Sequence, residues 1–154
     1  MKQKSILGVL LLLCLCLAAC GSQKVEQMDS QKKATLSITC QEAMQSEQLP
    51  DEMKEVLPKD GIIFSRQEVF VTEGETVLDV LQRELQEKRI ALDISDGYVK
   101  GIGSLYEGAC GTTSGWLFRV NGEVPSLGAG QCVVQEGDQI EWLYICDMNA
   151  FFGG

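Results

Sequence analysis

The chain of 154 residues contains no histidine. Histidine is the side chain that titrates near neutral pH and the commonest general base, so its absence removes the usual route to acid–base and nucleophilic catalysis. Ser114 stands before Gly115, but no Gly-x-Ser-x-Gly elbow surrounds it. An enzyme that uses two carboxylates is an alternative, although no spacing singles out a pair among the 22 Asp and Glu residues. The sequence therefore predicts a protein that is not an enzyme.

Motifs that bind metals or nucleotides are also missing, and basic residues are few. The chain has no C-x-x-C pair, and Asp147-Met148-Asn149 lacks the length and ligand count of a calcium loop. Gly101-Ile102-Gly103 lacks the third glycine and the helix start of a dinucleotide fingerprint. With 13 Lys and Arg against 22 Asp and Glu, the formal charge is −9, which repels nucleic acid phosphates. We expect no metal and no nucleic acid partner.

The N-terminal apolar run, from Ile6 to Ala19, is shorter than the roughly 20 residues that a transmembrane helix needs. A cationic start precedes it and small residues end it, which predicts a cleavable signal peptide over residues 1–19. Its end, Leu17-Ala18-Ala19-Cys20, resembles the bacterial lipobox, in which the cysteine receives a lipid before cleavage. The resemblance implies a lipoprotein whose acyl chains, such as palmitate, hold Cys20 on the extracytoplasmic face of the cell membrane. An ordinary secretory signal with an incidental cysteine is the alternative.

The remainder of the chain has the size of one domain. Residues 20–33 are polar and predict a flexible tether behind the lipidated cysteine, and residues 34–150 predict a single folded domain. Removal of residues 1–19 deletes two lysines and no acidic residue, which leaves a formal charge of −11. Four cysteines follow Cys20, namely Cys40, Cys110, Cys132 and Cys146. Outside the cytoplasm an even number predicts two disulfides, and four cysteines permit three pairings.

Hydrophobic periodicity predicts one helix among several strands. Apolar residues alternate from Ala34 to Cys40 and from Ile140 to Cys146, which is typical of half-buried strands. A helix is predicted from Val77 to about Lys88, where Thr76 and a residue three positions later form a capping-box pattern. Short extended segments surround it, and a type I′ hairpin turn is expected at Asn121-Gly122. The element order predicts a mixed α+β fold with one main helix packed across a sheet.

Several segments, taken in order, resemble the transcobalamin-like C-terminal domain of bacterial surface proteins. They are SITC (37–40), EGETVLDVL (73–81), SGWLFRVNG (114–122), EGDQIEW (136–142) and YICD (144–147), and together they span about residues 34–148. The resemblance implies a β-grasp-like fold, in which the first and last strands are parallel neighbours at the centre of the sheet. It also implies a disulfide between Cys40 and Cys146, at the ends of those strands. The two cysteines that then remain, Cys110 and Cys132, would form the second disulfide. The chain departs from the family here, because the second cysteine of that pair is expected nearer Ala129.

The resemblance implies a non-catalytic binding module, since the comparable domain of the vertebrate cobalamin carriers closes over a corrinoid held against a separate helical barrel. A cobalamin, another corrinoid or another small molecule is therefore the expected ligand, with a surface protein as the alternative partner. The loop Ser126-Leu127-Gly128-Ala129-Gly130 is one candidate ligand surface, because its glycines permit close backbone approach. A plain hairpin connection is the alternative. Trp116, Trp142 and Tyr144 are either an aromatic ligand face or core residues of adjacent strands, and their period-2 placement favours the core.

The second hypothesis for function is a structural or protein-interaction module of the cell surface without a small-molecule ligand. Such a module could join a larger complex by adding a strand to its sheet.

Overall fold

A four-stranded sheet lies at the centre of the computed structural model, which describes residues 31–153. Within that range the elements, in chain order, are β1 Lys32–Thr39, α1 Gln41–Gln45, α2 Asp51–Val56, β2 Ile62–Val71, α3 Val77–Lys88, β3 Leu92–Ser95, β4 Tyr98–Ile102, β5 Leu105–Tyr106, β6 Gly115–Val120, β7 Gln139–Ile145 and α4 Met148–Gly153. The predicted signal peptide, Cys20 and most of the predicted tether lie outside the described residues.

The strand order of the central sheet is β2-β1-β7-β6. β1 and β7 are parallel, whereas the β1–β2 and β6–β7 pairs are antiparallel. The predicted parallel pairing of the first and last strands is therefore confirmed, and so is the mixed α+β class. β3 and β4 coincide with two segments that the sequence predicts to be extended on either side of a turn at Ser95-Asp96-Gly97. Their association with β5 in a second, three-stranded antiparallel sheet is not predicted from the sequence, because β5 has only two residues.

Helix α3 has the bounds and the cap that its sequence predicts. The Thr76 hydroxyl accepts the Asp79 backbone N–H at 3.2 Å, and the Asp79 carboxylate accepts the Thr76 backbone N–H at 2.9 Å. This reciprocal pair satisfies two donors that a helix start leaves unpaired. The helix ends at Lys88, and the residue after it, Arg89, adopts a left-handed conformation with φ of 58°. Its buried face is mainly aliphatic and includes Val80 and Leu81, both 0% exposed.

The core lies against one face of the central sheet. Successive side chains of a strand point to opposite faces, so alternate residues of β1 and β7 are buried together. Leu36 and Ile38 of β1 are fully buried, as are Ile140 and Tyr144 of β7. β1 and β7 are the inner strands of the sheet, so their side chains are among the most buried. The two clearest alternating patterns in the sequence belong to these two strands.

Three local features differ from the sequence expectations. Two short extended segments, 61–64 and 68–72, are parts of one ten-residue strand, β2, whose register with β1 is irregular near Ile38. The expected strand at 132–134 is only a single bridge between Val133 and Thr76. The predicted tether ends before Lys32, because Lys32 and Lys33 already pair with β2. Among residues 31–153 no helix has the length and apolar character needed to cross a bilayer.

Candidate functional site

The loop between β6 and β7 begins with the turn that the sequence predicts. Asn121 and Gly122 have positive φ values of 55° and 82°, as a type I′ turn requires. The Asn121 side-chain amide donates to the Asp138 carboxylate at 2.8 Å, and its carbonyl accepts the Gln139 N–H at 2.9 Å. The loop is therefore closed at its base, where its first and last residues meet.

The middle of the same loop is fixed to the start of α3. The backbone N–H groups of Val77 and Leu78 donate to the carbonyls of Cys132 and Ala129, at 2.9 and 3.0 Å. A helix start leaves such donors without partners inside the helix, and here the loop supplies the acceptors. The predicted ligand loop, Ser126–Gly130, is thus held in one conformation, although it contains no regular strand.

Several side chains of this loop project into solvent even though they are apolar. Leu127 is 53% exposed, Val133 46% and Val124 36%. Ser126, Gly128 and Gly130 are also exposed, whereas Ala129 is buried beneath the loop. Three exposed apolar side chains therefore lie within ten residues of one loop. We use the name loop surface for residues 124–133.

The structure places the three aromatic candidates in the core. Trp116 and Trp142 are each 3% exposed and Tyr144 is 1% exposed. The Trp116 indole N–H donates to the Leu105 carbonyl at 3.0 Å, and its ring meets Tyr144 edge-on, with centroids 5.2 Å apart. Trp116 pairs with Tyr144 near the end of β7, whereas the loop surface lies near its start. Trp116 is therefore not part of an exposed ligand face with the loop, which corrects that candidate assignment.

A buried hydrogen-bond network surrounds the Tyr144 hydroxyl. The hydroxyl donates to the Tyr106 carbonyl at 2.7 Å, accepts the Ala109 N–H at 3.0 Å and lies 3.0 Å from the Ser114 hydroxyl. Burial raises the pKa of Tyr144, against hydrogen bonds from Ser114 and Ala109 that lower it. The network ties the segment between β5 and β6 to β7. Strand alternation predicts only that Tyr144 points inwards, so the sequence offers no signal for these partners.

That segment also forms one wall of a surface cleft of about 360 Å³. The cleft runs between α2 and the strand β5, and its lining is partly apolar and partly polar: Pro50, Met53, Ser104, Tyr106, Glu107, Gly108 and Ala109. Nothing in the sequence patterns indicates this cleft, because its two walls come from elements about 50 residues apart in the chain.

The four cysteines are free thiols in the structure, and they occupy two places. Cys146 follows the end of β7, and burial together with the neighbouring Cys110 raises the pKa of its thiol. Cys40 follows the end of β1, close enough for the charge of Cys110 to affect its pKa. Cys132 lies near Asp138, before β7 begins. Since a strand of seven residues is roughly 20 Å long, the structure does not bring Cys132 and Cys110 together.

The register of the parallel strands explains why Cys40 does not face Cys146. Thr39 is level with Leu143, so Cys40 is level with Tyr144 and Cys146 lies two residues further along. With about 3.3 Å per residue and about 4.8 Å between strands, the two Cα atoms are roughly 8 Å apart. Disulfides usually need about 4.4–6.8 Å. The four cysteines are free in the structure, and the two disulfides implied by the family resemblance stay a prediction.

Charged groups cluster where α3 meets β2, and they serve the fold. Arg83 donates to Glu75 at 2.9 Å, to Glu84, and to the Phe70 carbonyl at 2.5 Å. Burial of Glu75 raises its pKa, but the hydrogen bonds from Arg83 and Thr72 outweigh this and the net pKa is lowered. Among the described residues, no group of three or more His, Cys, Asp or Glu side chains is arranged to hold a metal ion.

Comparison with known proteins supports the fold. Residues 74–145, from just before α3 to the end of β7, match a family described as a domain of unknown function, DUF4430. The chain is similar to haptocorrin in complex with Cbi, with a TM-score of 0.51 and 16% identity over 86% of this chain and 29% of haptocorrin. The chain thus spans under a third of haptocorrin's length. The fold implied by the resemblance to the transcobalamin-like C-terminal domain is confirmed.

A second solved structure is a protein from Ruminococcus gnavus ATCC 29149 that has been provisionally assigned to metal binding. Its TM-score is 0.45 and its identity 13%, over 75% of this chain and 97% of that protein. No curated protein matches the chain in sequence.

Proposed function

We propose that the chain is the precursor of a bacterial lipoprotein whose domain, which begins at Lys32, is a non-catalytic binding module for a small molecule. In this proposal residues 1–19 are removed, Cys20 is lipidated and residues 20–31 tether the domain to the extracytoplasmic face of the cell membrane. The observation that carries the binding function is the loop surface, a fixed and exposed apolar loop on a fold shared with haptocorrin.

Two properties of the loop surface suit a small ligand. Its backbone is already fixed by the bonds from Val77 and Leu78, so little conformational entropy is lost when a ligand binds. A Cβ atom at Gly128 would meet no atom within 4 Å, so the backbone there is open to a ligand. Because the chain without residues 1–19 is acidic, with a formal charge of −11, we expect the ligand to be a neutral or cationic molecule. A corrinoid is the first candidate, since the haptocorrin structure contains Cbi.

Titration with cobinamide and cobalamin, followed by calorimetry and visible absorbance, tests this proposal. We expect Leu127→Ser to weaken binding about tenfold or more, because a buried leucine contributes roughly 1.5–3 kcal/mol. Val56→Ser is the matched control: Val56 is 61% exposed but lies on α2, away from the loop. If neither heat nor a spectral change is seen at high micromolar ligand, a corrinoid is excluded as the ligand. If both variants weaken binding equally, the loop surface is excluded as the binding site.

Lipid attachment is tested separately in cells. Labelling with a palmitate analogue should mark the protein and should be lost in Cys20→Ser, while Cys16→Ser, inside the proposed signal peptide, keeps the label. Label that persists in Cys20→Ser would refute the assignment of the lipid to Cys20.

The second candidate function, a protein-interaction module, is favoured by the outer position of β2, which pairs with β1 on one side and with no strand of the described residues on the other. This ten-residue strand lies at the border of the central sheet, and Phe70 and Ile62 on it are 51% and 37% exposed. An exposed edge can pair with a strand of another protein. Crosslinking on intact cells would support this function if it captured a stoichiometric protein partner that is lost in Phe70→Lys, with no corrinoid bound to the purified protein.

A further inference from the structure

The end of the central sheet that is remote from the loop surface brings two cysteines close together. Cys110 is fully buried and Cys146 is half-buried, and both belong to the packing of the same hydrophobic core. Cys146 lies two residues after Tyr144, whose hydroxyl accepts the N–H of Ala109, the neighbour of Cys110. Cys110 belongs to the segment Glu107–Ser114, which crosses the end of β7. Cys146 immediately follows β7, and its backbone N–H donates to the Glu42 carboxylate at 2.8 Å.

The backbone on both sides of Cys110 is fixed to the neighbourhood of Cys146. The N–H of Ala109 donates to the Tyr144 hydroxyl, and the N–H of Cys110 donates to the Ser114 hydroxyl, both at 3.0 Å. On the other side, the N–H of Met148 donates to the Thr113 carbonyl at 3.1 Å. These backbone bonds therefore place Cys110 beside the end of β7, where Cys146 follows the strand.

We propose that Cys110 and Cys146 are the disulfide-forming pair of this domain, and that Cys40 remains a buried thiol beside them. The proposal rests on the proposed function only for its compartment, since disulfides persist outside the cytoplasm. Cys132, near the start of β7, takes no part in this bridge. The pairing differs from Cys40–Cys146 because the parallel register moves Cys146 two residues beyond the level of Cys40.

The bridge forms by exchange with an external disulfide, either a small molecule such as oxidised glutathione or an oxidoreductase. Cys146, the more accessible thiol, loses its proton and attacks one sulfur of the external disulfide, which releases one thiolate and leaves a mixed disulfide on Cys146. Cys110 then loses its proton, attacks the Cys146 sulfur and releases the second thiolate. The two protons from the cysteines convert the released thiolates to thiols, and the external disulfide is reduced.

The bridge would fix the wall of the cleft beside α2. Gly108 and Ala109, which line the cleft, directly precede Cys110. Oxidation closes a loop from Cys110 to Cys146, and for a loop of this length we expect the midpoint of thermal unfolding to rise by about 15 °C. Burial and the neighbouring Cys110 raise the pKa of the Cys146 thiol to about 12. Exchange with glutathione should therefore accelerate about tenfold per pH unit between neutral pH and pH 9.

Peptide mapping of the full chain tests the pairing. The protein is purified from membranes, its free thiols are alkylated without reduction, and the peptides are identified by mass spectrometry. A second sample is reduced and then oxidised with glutathione disulfide at pH 8.5. We expect a Cys110–Cys146 crosslink and alkylated Cys40 and Cys132 in both samples. A Cys40–Cys146 or Cys110–Cys132 crosslink, or four alkylated cysteines after oxidation in vitro, would overturn the pairing.

The two samples separate this inference from the proposed function. A Cys110–Cys146 crosslink that forms in vitro but is missing from the protein isolated from membranes supports the pair and counts against the proposed compartment. Thermal unfolding supplies a second measurement: the difference between oxidised and reduced protein should vanish in Cys110→Ser and in Cys146→Ser. The same difference should persist in Cys132→Ser, the matched control, and its loss there would overturn the pairing. If Cys110→Ser does not fold, the peptide map of the unsubstituted protein still shows which cysteines are paired.

Discussion

Replacement of Tyr144 by phenylalanine removes one buried hydroxyl and keeps the aromatic ring in the core. The hydroxyl donates to the Tyr106 carbonyl and accepts the Ala109 N–H, at 2.7 and 3.0 Å. The variant removes both of these bonds in a part-buried site, whereas the Ala109 N–H keeps its bond to the Tyr106 carbonyl at 3.3 Å. One hydrogen bond contributes about 0.5–1.5 kcal/mol. We expect the free energy of unfolding to fall by about 1–3 kcal/mol, because two bonds are lost.

Urea denaturation followed by tryptophan fluorescence measures this change, because Trp116 and Trp142 are both buried. The midpoint should fall while the m value, which reflects the surface exposed on unfolding, stays the same. Tyr106→Phe is the matched control, since Tyr106 is 46% exposed, and we expect a change within about 0.5 kcal/mol. A loss below about 0.5 kcal/mol for Tyr144→Phe would refute the role of the hydroxyl network.

Three further predictions concern other parts of the fold. A Cβ atom at Gly61, where φ is +70°, would lie 2.7 Å from the Cα of Gln41. We therefore expect Gly61→Ala to lower the free energy of unfolding by roughly 2–4 kcal/mol, measured by urea denaturation. Gly128→Ala, whose Cβ meets nothing within 4 Å, should change stability by less than about 1 kcal/mol, and similar losses for both would contradict this account. Thr76→Ala should cost about 1 kcal/mol by thermal circular dichroism, through loss of the α3 cap, and an unchanged midpoint would argue against that contribution. Burial raises the pKa of the Cys40 thiol from 9.0 to about 11, so the unfolded chain loses this proton at a lower pH than the folded protein does. The free energy of unfolding of the reduced protein should therefore fall as pH rises from about 9 to 11, by up to roughly 1.4 kcal/mol per pH unit. Denaturation at several pH values should show a smaller slope in Cys40→Ala, and an equal slope would contradict the assignment.

The loop surface could be predicted in part from the sequence. The glycines and the single exposed leucine of Ser126–Gly130 are visible there, and the Asn121-Gly122 turn follows from the need for positive φ. What could not be predicted is the acceptor role of the Ala129 and Cys132 carbonyls at the start of α3. Backbone carbonyls carry no sequence signal, so the fixed conformation of the loop is seen only in the structure.

Trp116 illustrates a limit of periodicity. Its alternation with Phe118 and Val120 indicates one face of a strand, and such a face is either packed or open to a ligand. The structure decides between the two because it supplies the partners of the Trp116 ring, the Leu105 carbonyl and the Tyr144 ring. The deciding contact with Leu105 comes from the small second sheet, whose short strands have no strong pattern of their own.

The sequence by itself determined the local elements of this domain: the helix from Val77 to Lys88 with its Thr76 cap, the alternating strands β1 and β7, and the turn at Asn121. Each depends on residues within a few positions of one another, where spacing and side-chain chemistry are sufficient. Only the tertiary structure shows which segment lies beside Cys146. That placement depends on a two-residue offset between parallel strands and on a loop more than 30 residues away, and neither is encoded in local spacing.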